Sequence, residues 1–353
     1  MSPRFLILAE ESFGPMTSKT ANGVIRYTPE NVVAVLDSNF AGRTAQDVLG
    51  FGGAIPVVPT LEVGLALEPD ALLIGIAPQG GKLPDAWREI IADAIRHRLD
   101  VWSGLHTFVG DDPEFARLAR EYRVTIRDVR KPPADLGVAT GRVAREVDAT
   151  VILTVGSDCN IGKMTAALQI RDGLKRRGSR VAFAGTGQTG IFIEGWGIAV
   201  DAVVADFIAG AAERLTLDAA KAADIVLVEG QGSIIHPGYS GVTYGLMHGT
   251  LPHAMVMCAQ PSRTTINNNP WLRIPPMPEL IDLHERVLAP LRPAPVIAVA
   301  LNTFDLPDAA ARDAIARTAD ETGLPTTDPV RYDPAPVVDA IHELHERRAA
   351  VAR

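Results

Sequence analysis

Cysteine is almost missing from this chain: 353 residues hold two, Cys159 and Cys258. Two cysteines build no disulfide framework, so a reducing cytoplasm is the expected home. Excess positive charge is missing as well. Lys and Arg number 34 against 42 Asp and Glu, for a net charge of −8 and a pI near 5.5. That removes the basic footprint of a nucleic-acid-binding surface. No uninterrupted apolar run approaches the roughly 18 residues a membrane helix needs. The N-terminal MSPRFLILAEESFG, with one Arg and the short apolar run FLILA, lacks a signal h-region. Internal repeats and low-complexity tracts are not found either. What remains is a globular composition, 47% hydrophobic and 22% charged, long enough for two domains.

In the first part, Phe5–Ala9, Val32–Asp37, Ile55–Val58, Ala71–Ile76 and Asp100–Ser103 read as strands. Glu62–Leu67, Pro84–His97 and Pro113–Tyr122 read as helices between them. Such alternation predicts a parallel sheet covered on both faces. The Pro pair in Arg130-Lys131-Pro132-Pro133 suits a linker, giving domains 1–133 and 134–353. Ligands of such sheets sit beyond the strands' carboxyl ends, here near Glu10-Glu11, Asp37-Ser38 and the loop Pro78–Lys82. No G-x-G-x-x-G follows the first strand, which counts against ordinary dinucleotide binding. Asp37 is placed to meet a ribose or simply to end its strand and cap a helix. Gly80-Gly81-Lys82 is either an anion cradle or a flexible turn.

The second domain opens on ATVILTVGSDCNIGKMTA, Ala149–Ala166. The β-branched run Thr150–Val155 predicts a buried strand, and Met164–Arg177 a helix. Between them a glycine-bounded turn and Lys163 form a phosphate-cradling loop, with the first helix amides facing an anion. The pattern G-x-x-x-x-G-K-[ST] is missed twice. Five residues rather than four separate Gly156 from Gly162, and Met164 stands where a hydroxyl belongs, with Thr165 one position late. Further on, Arg180–Ala184, Asp224–Val228 and Val296–Leu301 read as strands; Asp201–Glu213, Ala309–Thr322 and Val337–Val351 read as helices. Thr326–Val330 reads as an edge segment, and a polar, proline-rich stretch runs from His236 to Pro278, interrupted by the apolar Ala254–Cys258. The expected architecture is α/β throughout: an N-terminal Rossmann-like parallel-sheet domain, then a P-loop NTPase-like three-layer α/β/α domain.

Three strand ends of that domain converge: the loop, Glu229 and Asn302. An acidic strand end beside such a loop commonly holds Mg²⁺, yet the thioether of Met164 is no Mg²⁺ ligand. Either Thr165, Asp158 or Asp206 substitutes, or the bound anion is a handle held without a tight metal.

The loop GSDCNIGKMT, with its added residue, resembles that of dethiobiotin synthetase. Together with GTGQTGI (Gly185–Ile191), AVDAVVADFIAGAAE (Ala199–Glu213), VLVEGQGS (Val226–Ser233), ALNT (Ala300–Thr303) and TGLPTTDPVR (Thr322–Arg331), the chain resembles the bacterial D-glutamate N-acetyltransferase family, formerly a domain-of-unknown-function family. That family pairs a Rossmann-like domain with a P-loop domain similar to dethiobiotin synthetase. The resemblance covers the whole chain. It implies acetyl transfer from acetyl-CoA to the amine of D-glutamate, a small-molecule substrate; no nucleic-acid or membrane partner is expected, and a homo-oligomer is. Cofactor binding then falls to Gly156, Ser157, Asp158, Cys159, Asn160, Ile161, Gly162, Lys163, Met164 and Thr165, with Gly187, Gln188 and Asn302.

The amine of free glutamate is mostly protonated at neutral pH, so a base is needed; Asp206, Glu229 and His236 are the candidates. Glu229 as base and Glu229 as metal ligand stand level, and Asp206 equally suits orienting a loop donor. His236 also reads as a surface histidine. Loop amides or Lys163 can stabilise the tetrahedral oxyanion. Two substrate carboxylates call for guanidinium forks, and Arg263 is the first choice, with a solvated loop arginine as the alternative. Thr186, Gln188, Thr189, Gln231 and Ser233 complete the substrate set. Cys159, near a helix N-terminus, is either a covalent acetyl carrier or a residue that fits the space. No resident metal is expected. Two other readings stay open: an ATP/Mg-dependent ligase or kinase acting on a small carboxylate or amino acid, and a non-catalytic nucleotide- or CoA-binding regulatory protein.

Overall fold

The structure, a computed structural model, describes residues 3–76 and 83–351. The loop Pro78–Lys82, with its candidate anion cradle, lies outside the described residues. The chain divides into two compact units. One holds the residues up to Pro132 together with Gly187–Ala202; the other holds Pro133–Thr186 and Val203–Arg353. A single cut near residue 133 therefore misses one excursion, in which the chain leaves the second unit after Thr186 and returns at Val203.

In the first unit, β1 (Phe5–Leu8), β2 (Val32–Leu36), β3 (Val57–Val58), β4 (Ala71–Ile74), β5 (Asp100–Ser103) and β6 (Ile126–Asp128) form one parallel sheet in the order β3-β2-β1-β4-β5-β6. That is the Rossmann order, reversing direction between β1 and β4. Every residue of β1 and β4 is buried, as expected of strands covered on both faces. β6 carries the polar residues Arg127 and Asp128 and is half-exposed, so its apolar signal is too short to read. Asp37 takes the bland role. Its buried carboxylate accepts from the amides of Ser12, Phe13, Asn39 and Phe40, ending β2 and capping the turn that follows.

In the second unit, β7 (Thr150–Gly156), β8 (Val181–Ala184), β9 (Ile225–Val228), β10 (Ala254–Ala259), β13 (Val296–Leu301) and β14 (Thr326–Thr327) form a parallel sheet ordered β14-β13-β10-β7-β9-β8. The short strands β11 (Thr265–Ile266) and β12 (Asn269–Arg273) make an antiparallel hairpin apart from it. All seven residues of β7 are buried. One face of the sheet packs on helix Lys163–Arg176 and the C-terminal helix Ala335–Val351, with Ile152, Leu227 and Val256 meeting Ile170, Leu174, Val338 and Ile341.

The polar stretch after His236 holds β10 where the apolar Ala254–Cys258 lies, and more structure than its composition predicts besides: helices Ser240–Thr250 and Met277–Leu288 and the hairpin. Glycines explain the missed first helix. Gly241, Gly245 and Gly249 recur every fourth residue, and each costs about 1 kcal/mol against alanine in an isolated helix. Packing in the folded protein reverses that preference at two of them. A Cβ at Gly249 would lie 2.1 Å from the Ala209 carbonyl oxygen, and one at Gly245 2.4 Å from Ile208 Cγ2. The glycine stripe lets this helix seat closely on helix Ile208–Ala220. The latter helix also starts later than its alanine-rich sequence suggests: Val200–Ala202 and Ala205–Phe207 are single 3₁₀ turns around the return between units.

Candidate active site

The loop after β7 is shaped by two left-handed residues, Asn160 at φ +54° and Gly162 at φ +101°. Asparagine tolerates the first; glycine meets the second without strain. Helix Lys163–Arg176 starts directly after Gly162, so its first amides border the loop. Gly156 could not be larger, since a Cβ there would lie 2.6 Å from Ile161 Cδ1 and 3.2 Å from Lys163 Cδ. Gly230, just after β9, is tighter still: its Cβ would lie 1.7 Å from the Thr154 carbonyl oxygen. Its amide donates to Thr154 Oγ1 at 2.9 Å. The buried Lys163 side chain runs through the space these glycines leave, and its Nζ donates to the Asp158 carbonyl at 2.7 Å.

Asp158 is the hub of the loop. It is fully buried; Oδ1 accepts from the Cys159 amide at 2.7 Å, and Oδ2 accepts from the Asn267 amide at 2.7 Å and Arg263 Nη1 at 2.9 Å. Arg263 Nη1 also reaches the Cys159 carbonyl at 2.8 Å. The arginine taken as the first choice for a substrate carboxylate is thus engaged in fixing the phosphate loop. Asn267 lies in the hairpin turn beside Asn268, whose φ is +60°. The Asn-Asn pair was the available sign of that turn, and of the amide it contributes.

Around the loop, Glu229 directly follows β9 and is 4% exposed. Its Oε2 accepts from the Thr186 amide at 2.9 Å, and Thr186 Oγ1 donates to its carbonyl at 2.7 Å. Gln231 Nε2 donates to Thr186 Oγ1 at 3.3 Å, and Ser233 Oγ to the Ser157 carbonyl at 3.2 Å. Thr186, Glu229, Gln231 and Ser233 therefore gather beside the loop, as their strand-end positions predict. Asn302 follows β13, and its side-chain nitrogen lies 3.6 Å from where a Cβ on Gly162 would stand. Asp206, by contrast, is exposed on a 3₁₀ turn. Gly187, Gln188 and Thr189 belong to the other unit, where Gln188 Oε1 accepts from Arg130 Nη2 at 2.6 Å at the start of helix Gln188–Glu194.

His236 is buried although proline follows it, which overturns the surface reading. A ring nitrogen of His236, Cys159 Sγ and an Asp158 carboxylate oxygen all lie within 4.8 Å of one another. The trio has the donor atoms of a transition-metal site, but its hydrogen bonds do not suit one. His236 Nδ1 accepts from the Gly238 amide at 3.0 Å, so a neutral ring carries its proton on Nε2, leaving no lone pair there for a metal. Both Asp158 oxygens are already engaged. Nor does the loop suit Mg²⁺. A hydroxyl at 165 leaves the helix about 100° round from one at 164. Cys258, at the end of β10, is out of the chemistry: burial pushes its thiol up to about 12, against the pull of Lys163.

Comparison with known proteins follows the same division. Residues 38–132 match the DUF1611_N Rossmann-like domain, and residues 137–338 the DUF1611_C P-loop domain, both described as domains of unknown function. A D-glutamate N-acetyltransferase from Tritonibacter scottomollicae is 34% identical over 96% of this chain and 98% of its own. A D-glutamate N-acetyltransferase from a Pseudoalteromonas species is 35% identical over 75% of this chain and 79% of its own. A crystal structure of a DUF1611 family protein from Anabaena variabilis superposes with a TM-score of 0.91 at 40% identity, covering 97% of this chain and all of that one.

Proposed function

The chain belongs to the DUF1611 family, and from that premise we propose that it is an amino-acid N-acetyltransferase that moves an acetyl group from acetyl-CoA to the amine of D-glutamate. The observation that carries the reading is the full-length kinship with the Tritonibacter enzyme, 34% identical over 96% of the chain. The loop's chemistry supports it. A phosphate cradle with Lys163 but with Met164 in place of the metal-binding hydroxyl suits phosphates held as a handle rather than transferred. Acetyl-CoA, when bound there, supplies the thioester carbonyl. The loop amides and Lys163 hold its phosphates, and Glu229 takes the proton from the substrate ammonium at its carboxylate. His236, as an Nε2–H donor, is suited to the developing oxyanion and not to the base role its residue type suggests.

The test is direct. Protein, acetyl-CoA and a panel of D- and L-amino acids are incubated without ATP or added metal, and products are read by mass spectrometry with free CoA measured alongside. N-acetyl-D-glutamate and stoichiometric CoA are the expected result. ADP release that depends on Mg²⁺ and an amino acid, with no acetylated product, would replace this reading with the ligase or kinase one.

A further inference from the structure

Beside the phosphate loop, between it and the hairpin, lies a cavity of about 320 Å³. Ser157 lines it, and the buried Ser157 hydroxyl finds no hydrogen-bond partner among the described residues. Arg263 and Arg273 line it too, with Ile274, Met277 and Leu280 as apolar wall and no acidic residue among the described residues of the lining. The charges do not cancel. Arg263 is matched by Asp158 at 2.9 Å, whereas the Arg273 guanidinium has no ion-pair partner among the described residues. One uncompensated guanidinium, one unsatisfied buried hydroxyl and an apolar wall suit a carboxylate on a short aliphatic stem. The planar fork receives both oxygens, the hydroxyl donates to one of them, and the methylenes lie against Ile274 and Met277.

We propose that this cavity is the acyl-acceptor subsite, and that Arg273 and Ser157 receive the acceptor's side-chain carboxylate and so select dicarboxylic over neutral amino acids. The inference rests on the acetyltransferase reading and adds a specificity residue that the sequence did not single out. The test compares the wild type with Arg273→Ala and Arg273→Lys. The alanine variant should raise the KM for D-glutamate about ten- to a hundredfold, the range of a lost charge-assisted hydrogen bond. The KM for acetyl-CoA should hold, and the preference for D-glutamate over D-glutamine should collapse; lysine should restore part of it. Glutarate, which has no amine to acetylate, is the independent probe. Calorimetry should show it binding the wild type and not Arg273→Ala. A rise in the KM for acetyl-CoA alone, or glutarate binding that is absent from the wild type or equal in both proteins, overturns the subsite even where D-glutamate is still acetylated. Glutarate binding that depends on Arg273 in a protein acetylating no amino acid upholds the subsite and removes the activity.

Discussion

Arg263→Ala should weaken the protein before it weakens catalysis. The change leaves the fully buried Asp158 carboxylate without its guanidinium, held by the Cys159 and Asn267 amides. At 2.9 Å and an effective dielectric near 20, the lost attraction is about 6 kcal/mol. Desolvation of the buried partner offsets a large part of that in the native pair, so the net cost of removing one member is about 3 kcal/mol. Arg263 is 21% exposed, so solvent screening discounts this little. For a unit of this size the melting temperature falls by about 6–12 °C, read by scanning calorimetry. Asp158→Asn with Arg263→Ala should be less destabilised than Arg263→Ala alone, because no charge is left buried without its partner. Since the pair fixes the phosphate loop, the KM values for acetyl-CoA and for the amino acid should rise together. A variant melting within about 2 °C of the wild type, with only the amino-acid KM raised, would show that Arg263 is a substrate ligand and its bond to Asp158 incidental.

Lys163→Ala should lower acetyl-CoA affinity about ten- to a hundredfold, the range for losing a charged hydrogen-bond donor, and unchanged affinity by calorimetry would take the loop out of cofactor binding. On the proposed route, in which the amine attacks the thioester directly, Cys159→Ser should keep acetyl transfer. Loss of turnover, together with an acetylated wild-type protein in intact-mass spectra, would instead establish a covalent carrier. Stability should decline on acidification below about pH 6.5. Burial holds His253 down to about 3 and His284 to about 4, so both are neutral in the fold while the unfolded chain protonates near 6.5. The unfolded state then binds more protons across that window, costing about 1.4 kcal/mol per histidine at pH 5.5. Urea midpoints that stay flat from pH 7 to 5 would contradict those environments.

The regular elements were legible where one signal sufficed. The fully buried strands β1, β4 and β7 and the largely buried β13 are continuous apolar or β-branched runs, and helix Pro113–Tyr122 carries its own proline start, so pattern alone located them. The phosphate loop was equally plain, because strand, glycines, lysine and helix are contiguous in the chain. Helix Ser240–Thr250 was not, since its glycines argue against a helix until the close partner Ile208–Ala220 is supplied. Sequence order likewise joined Gln188 and Thr189 to Thr186, although the chain changes units between Thr186 and Gly187.

By itself, then, the sequence determined the two α/β units, the P-loop and the methionine that stands at 164 in place of a hydroxyl, all of them properties of neighbouring residues. Only the tertiary structure decided what long-range pairing controls. It turned Arg263 from a free guanidinium into the partner of Asp158, 105 positions away. It buried His236 and set its Nδ1 against the Gly238 amide. Among the described residues it left Arg273 without a counter-charge and the Ser157 hydroxyl of the same cavity unsatisfied. Charge balance and hydrogen-bond satisfaction are sums over spatial neighbours, and a chain read in one dimension does not say which neighbours to add.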